Sequence, residues 1–270
     1  MKAKRLMAGA LALTLLCCGC SNNTDGKSAN TADAYDRLAA EMTVWDGSIN
    51  LSTAVSGELF TEYAGQPGAV RFSGQYMQQE GALGKEVFAT QDFNYGDGYY
   101  YQIDLLSDGE VHAISTKSGP EDPESEEDNL IYGEYITLEE FEANAGFGIP
   151  SLSFTADQVT ATSETTVENG DTVITFTLDP EKSDSTVIAL MEALDYIDTE
   201  TVPVDADVSS ISCSATYQND ELLNLSYKFS ADLTAEGEVL EVDYLFNHLL
   251  MESGELVSFG MPSVDTLVTQ

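Results

Sequence analysis

From Leu223 to Leu233 every second residue is apolar: Leu223, Leu225, Tyr227, Phe229, Ala231 and Leu233 alternate with Asn224, Ser226, Lys228, Ser230 and Asp232. Side chains of an extended strand point alternately to its two faces, so this stretch predicts a strand that is dry on one face and wet on the other. The stretch from Glu238 to Leu250 repeats the pattern, with Leu240, Val242, Tyr244 and Phe246 set against Glu241 and Asp243. Asp207 to Tyr217 precedes them, and turns at Gln218-Asn219-Asp220 and Ala235-Glu236-Gly237 join the three. Strands of about 11 residues span roughly 35 Å, and turns this short make neighbours antiparallel. A broad sheet of such strands curves. The expected fold class is therefore mainly β (α+β): a single curved antiparallel sheet or half-barrel with a few helices on its concave face.

The rest of the chain fits that frame. Leu51–Phe60, Ala69–Gln78, Lys85–Phe93, Gly98–Leu106 and Glu110–Ser115 are strand-length runs punctuated by Gly65-Gln66-Pro67-Gly68, Glu80-Gly81, Gly96-Asp97-Gly98 and Ser107-Asp108-Gly109, which predicts a five-strand meander. Gln158–Val167 and Thr172–Leu178 flank Asn169-Gly170, a strong hairpin signal. Helices are expected where the period changes. Thr31-Ala32-Asp33 opens one through about Met42, with Trp45 packing where it meets the body. Thr137-Leu138-Glu139-Glu140 has the form of a capping box. Asp179-Pro180 starts a third helix, with Val187, Leu190, Met191 and Leu194 on one face.

Charge narrows the partners. The chain carries 47 Asp and Glu against 10 Lys and Arg, a net charge of −37, and such a surface repels nucleic acid and anionic lipid headgroups. With 43% hydrophobic residues, 13 Tyr and 11 Phe, it is not a disordered acidic chain. The acidic run Glu121-Asp122-Pro123-Glu124-Ser125-Glu126-Glu127-Asp128 raises a calcium site. Its spacing is not that of an EF-hand loop, however, and a solvated loop is the simpler reading.

Lys2, Lys4 and Arg5 precede an apolar run from Leu6 to Cys18, the pattern of a secretory signal too short to span a bilayer. It closes on Leu16-Cys17-Cys18-Gly19-Cys20. These residues resemble the bacterial lipoprotein signal, in which the leader is cut before a cysteine that receives diacylglycerol. The resemblance implies Cys20 as the lipidated residue, and several acyl chains hold a protein stably on a membrane. The expected organisation is a signal peptide over 1–19, then lipidated Cys20 with a flexible tether and short helix to 43, then one β-rich domain over 44–270. The Ser/Asn/Thr/Gly-rich tether from Ser21 to Ala32 holds the domain off the membrane. With Cys17 and Cys18 lost and Cys20 acylated, only Cys213 remains, inside an alternating strand, where a small buried apolar residue is expected.

The order of a lipoprotein leader, tether, early helix, a meander containing Gly98-Tyr99-Tyr100-Tyr101, a helical break, a hairpin, a helix and a last meander ending at Phe259-Gly260-Met261-Pro262-Ser263-Val264 looks like the LolA/LppX-type superfamily. The resemblance runs from about Val44 to Val264. It implies a bent half-barrel covered by helices, a shape that in some members takes up acyl chains, and it brings no catalytic residues with it.

Enzyme chemistry has little to stand on. His112 and His248 are the two histidines, each in a strand-like run without a neighbouring ligand. No Gly-x-Ser-x-Gly, His-Glu-x-x-His, phosphate loop or cysteine pair is present. Carboxylates are too numerous for any chosen pair to mean a glycosidase. The reading is a non-enzymatic binding module with no cofactor and no metal, held extracytoplasmically on the bacterial cell envelope by lipid on Cys20. Its partners are the membrane, a lipid or other hydrophobic small molecule, and no nucleic acid. The residues put forward for the ligand are Leu225, Tyr227, Phe229, Val242, Tyr244 and Phe246. The alternative is an envelope protein or cell-wall interaction or sensor module with a packed interior, marked by an exposed aromatic patch at Tyr99, Tyr100 or Tyr101.

Overall fold

The computed structural model describes residues 31–46, 48–95, 98–120, 129–145, 152–192, 202–254 and 259–268. Strand-forming runs become eleven strands among these residues: β1 (Leu51–Tyr63), β2 (Gln66–Glu80), β3 (Lys85–Asn94), β4 (Tyr99–Ser107), β5 (His112–Pro120), β6 (Leu130–Ile136), β7 (Val159–Thr166), β8 (Thr172–Leu178), β9 (Val204–Gln218), β10 (Glu221–Ala235) and β11 (Glu238–Ser253). All belong to one antiparallel sheet in the order β6-β5-β4-β3-β2-β1-β11-β10-β9-β8-β7. The sheet is open, with β6 and β7 as its edges, and does not close into a barrel. Two meanders, β1–β6 and β7–β11, are thus joined by pairing the first strand with the last.

The meander expected to have five strands has six. β6 escapes sequence reading because Leu130-Ile131-Tyr132-Gly133-Glu134-Tyr135-Ile136 is apolar on both faces and follows the acidic run. Sequence-derived ends elsewhere differ by up to a few residues, short in β1, β2, β9, β10 and β11 and one residue long at each end of β7, with the largest difference in β5, which starts at His112 and runs on to Pro120. Turns fall where glycines were expected, with positive φ at Gly65, Gly109, Gly170 and Gly237.

Four α-helices lie among the described residues: α1 (Thr31–Asp46), α2 (Leu138–Ala145), α3 (Asp184–Glu192) and α4 (Asp265–Val268). In α1, Ala34, Leu38, Met42 and Trp45 form one buried stripe at helical spacing and pack against the β8–β11 half of the sheet. The helix therefore takes in Thr31, Ala32 and Trp45, beyond the limits its sequence suggested. Arg37 on its flank lies 3.9 Å over the Tyr217 ring and reaches the Asp220 carboxylate at 3.4 Å. The expected helix at Asp179 splits in two. A single 3₁₀ turn over Pro180–Lys182, capped by the Asp179 side chain, leads into α3, which buries Val187, Leu190 and Met191 against β9. α2 opens with the expected capping box and drives Phe141 into a second cluster with Val55, Tyr76, Val87, Ala89 and Leu105. α4 packs on the opposite face, where Val264 and Leu267 cover Leu106 and Ala113.

Cys20 and its leader, most of the tether, the acidic run 121–128, the Gly146–Pro150 break and Leu194 lie outside the described residues.

Candidate functional site

Cross-strand register assembles a row of side chains that no single strand displays. One rung passes through all eleven strands: Thr162, Phe176, Cys213, Tyr227, Phe246, Gly57, Phe72, Phe93, Tyr101, Ser118 and Leu130. The rung above it carries Ala215, Leu225, His248, Val55, Gly74, Gln91, Ile103, Thr116 and Tyr132. The rung below carries Ile211, Phe229, Tyr244, Leu59 and Val70. All three face the side that α1, α2 and α3 cover.

The six residues proposed from sequence therefore meet, on adjacent strands and one face. Phe229 and Tyr244 stack at 4.7 Å between ring centroids, and Tyr244 lies 6.2 Å from Phe246. Burial separates them. Leu225, Tyr227, Phe229, Val242 and Tyr244 are closed off from solvent inside the main core, whereas Phe246 is half-buried. Phe154, from the segment before the 3₁₀ turn Ala156–Gln158, fills the space above Tyr227 and Phe176, with ring centroids at 6.2 and 5.7 Å. Tyr35 of α1 closes over Phe154 at 5.7 Å and donates its hydroxyl to the Phe154 carbonyl. Burying an apolar side chain of this size contributes about 1.5–3 kcal/mol, so Leu225, Tyr227, Phe229, Val242 and Tyr244 hold the fold together and form the back wall of any ligand site.

Electrostatics agree. Burial pushes the Tyr227 and Tyr244 phenols well above their ordinary range, and it does the same to the Cys213 thiol. The Tyr227 hydroxyl accepts a hydrogen bond from the Ser153 backbone N–H at 3.1 Å. None of these groups ionises at neutral pH, and Cys213 is a packed apolar residue without nucleophilic character.

Moving along the same rung from β10 to β6, cover thins. Phe176, Cys213 and Tyr227 are fully buried; past half-buried Phe246, Gly57 and Phe72 are buried again; Phe93 and Tyr101 are half-buried, and Leu130 on the edge is 76% exposed. Gly57 makes the middle of this row continuous. A Cβ there would meet the Phe72 ring and the Leu245 carbonyl oxygen, so the absent side chain lets Phe72 lie flat beside Phe246 at 5.9 Å and Tyr244 at 6.3 Å. Phe93 continues outward to Tyr101 at 6.5 Å and Tyr95 at 6.4 Å. Phe93, Tyr95 and Gly57 were not singled out in the sequence, because their role depends on which strands become neighbours. Tyr99 is 58% exposed, and Tyr100 and Tyr101 are half-buried.

His248 is buried between Trp45 and Phe246, with ring centroids at 6.3 and 5.7 Å. His112 contacts Ser107 Oγ through Nδ1 at 2.8 Å and lies 5.3 Å from the Phe141 ring. The two stand in different clusters and form no joint site. Among the described residues, no group of three His, Cys, Asp or Glu side chains is placed to hold a metal ion, and no helix is long and apolar enough to cross a membrane. A separate polar cleft of about 430 Å³ lies where Phe259–Val264 crosses Gln79, Glu86 and Asp108.

No family model and no curated protein matches this sequence. Solved structures similar to it include a DUF1329 family protein from Desulfovibrio piger, 12% identical over 79% of this chain and 90% of that one, at a TM-score of 0.22. They also include an outer membrane lipoprotein-sorting protein domain from Vibrio parahaemolyticus, 9% identical over 86% of this chain and 95% of that one, at a TM-score of 0.24.

Proposed function

We propose that this chain is a non-enzymatic binding lipoprotein of LolA/LppX-like build, anchored to the bacterial cell envelope through lipid on Cys20, with its acidic domain on the extracytoplasmic side. It takes up a hydrophobic ligand of the acyl-chain kind. The observation that carries this reading is the aromatic row that runs from buried Tyr227 through half-buried Phe246 and buried Phe72 and emerges half-covered at Phe93 and Tyr101. Ligand pockets are mostly apolar and aromatic surfaces backed by a rigid scaffold, and the packed residues behind Phe246 supply that backing. The proposed ligand contacts are Phe246, Phe93 and Tyr101, with Leu225, Tyr227, Phe229, Val242 and Tyr244 as the wall.

The test is titration of a fluorescent fatty acid into the secreted Cys20→Ala form, which is also expected to lose metabolic fatty-acid label. Saturable uptake is expected. Phe93→Glu, which sets a charge in the half-covered part of the row, should weaken it by about tenfold or more. Absence of uptake by the unmutated domain, or equal uptake by Phe93→Glu, would overturn the ligand assignment.

A second reading, an envelope interaction module, is favoured by exposed Tyr95 and Tyr99 on the β3–β4 side and by Leu130, Tyr132 and Tyr135 on β6.

A further inference from the structure

The two edges of the sheet are built differently. β7 reads Val159-Thr160-Ala161-Thr162-Ser163-Glu164-Thr165-Thr166, and its pairing with β8 slips between Val159 and Ala161. A bulge and a polar, Thr-rich outer strand are standard ways of blunting an edge against further pairing. β6 has neither device. Its register with β5 runs without a break from His112↔Ile136 to Ser118↔Leu130. It contains no Pro and no Lys, and one charge, Glu134. Leu130, Ile131, Tyr132 and Tyr135 are 76%, 43%, 59% and 53% exposed. Among the described residues no strand lies beyond it.

β6 is nonetheless firmly held. The backbone of α4 passes directly over Gly133, where a Cβ would strike the Leu267 carbonyl oxygen. The Tyr135 hydroxyl donates to the Asp265 carboxylate at 2.8 Å, and α2 follows at once behind its cap at Thr137. An apolar edge in unbroken register is a template for strand addition: in an antiparallel ladder alternate residues of the outer strand turn their N–H and C=O groups away from the sheet.

Charge selects the occupant. Glu134 lies on the strand, and α2, which follows β6 directly in the chain and packs over β4 and β5, exposes Glu139 and Glu142. The nearby cation, Lys117 on β5, sits 5.5 Å over the Tyr100 ring. A second copy of this chain would bring another net charge of −37 to the contact, which disfavours pairing of like edges.

We infer that β6 is a docking edge for an extended basic segment of a partner protein, which adds to the sheet as a further strand beside Leu130–Ile136. Main-chain hydrogen bonds supply the affinity. The segment's alternate apolar side chains lie beside Ile131 and Tyr135 on one face, while its Lys or Arg residues point to the other, where they run beside Leu130 and Tyr132 and meet Glu134 on the face that α2 covers. This deepens the interaction-module reading and rests on it. It is independent of the proposed uptake of a hydrophobic ligand.

The probe is a ten-residue peptide alternating Lys with Val, compared with one alternating Glu with Val, titrated into the full chain in detergent. The Lys peptide is expected to bind and to slow amide exchange across 130–136. The pair Leu130→Lys with Tyr132→Lys should weaken it by about tenfold or more, because these side chains are exposed and their change places like charge on the edge. The matched pair Ser163→Lys with Thr165→Lys on β7 alters net charge equally and should leave binding intact. Equal loss in both pairs, or slowed exchange elsewhere and not in 130–136, would overturn the edge while leaving the chain a binder of basic peptides. Binding of neither peptide, or of both alike, would overturn the edge and the interaction-module reading together.

Discussion

Gly57 shows how one missing side chain organises a face. It is buried on β1 between Phe246 on β11 and Phe72 on β2, and the Phe72 ring occupies the place a Cβ would take. Gly57→Ala forces that ring away or shifts the β11 backbone at Leu245. An overpacked site of this kind costs about 1–3 kcal/mol, so a clear fall in denaturation midpoint is expected, and an unchanged midpoint would show that Phe72 yields freely. The alternation within β10 made Tyr227 and Phe229 legible from sequence alone. Gly57 was not legible, because its neighbours come from the far end of the chain. Asp92 is a second residue with a definite expectation. Partial desolvation, then the neighbouring Asp104 carboxylate, raises its pKa above the ordinary carboxylate value. A raised folded pKa means stability that is fully present below the unfolded value and lost as pH rises through the folded one. Asp92→Asn should therefore raise the melting temperature at neutral pH. The gain should vanish below about pH 4, where the wild-type carboxyl is itself protonated in both states.

Elements were legible to the extent that their signals were local. The capping box at Thr137 is visible in four residues, and the structure realises both halves of it. Glu140 N–H donates to Thr137 Oγ1, while the Thr137 N–H and hydroxyl donate to Glu140 Oε2 at 2.8 Å. These bonds hold the Glu140 carboxyl below its ordinary pKa. Since α2 carries Phe141 into the second cluster, its start matters to the whole sheet. Thr137→Ala is expected to cost about 1 kcal/mol, read from urea midpoints, with Thr137→Ser largely neutral. β6 was illegible for the opposite reason. An edge strand needs no dry and wet sides, so its sequence lacks the period that identifies β10 and β11. The 3₁₀ turn before α3 was also invisible, since Asp179-Pro180 signals a helix start equally well for either winding.

At the scale of the molecule, the sheet, its antiparallel pairing and its largely apolar covered face follow from alternation and turn spacing. The strand order does not follow, because two meanders can be joined in several ways and only packing selects one. Here β1 pairs with β11 along its length, from Leu51↔Ser253 to Tyr63↔Leu240. The covered row is consequently divided between chain segments made at opposite ends of synthesis. The candidate site shares that division: Phe93 and Tyr101 belong to the first meander, and Phe246 to the last strand.

Assembly order is constrained by that central seam. As the chain is made from its amino end, β1–β5 can zip together early, since each pairs with its successor across a connection of a few residues, and β6 adds next. β1 then keeps one side bare until β11 appears, a delay on the order of ten seconds at ordinary elongation rates. Through that interval the bare side is the stickiest surface the nascent chain presents, and closing it bridges nearly the whole length of the chain, which makes it a slow step. A truncation that removes β11 would not merely shorten the sheet at its rim. It would split it down the middle into two half-sheets, each with an unpaired inner strand, and such fragments should aggregate where the complete chain does not.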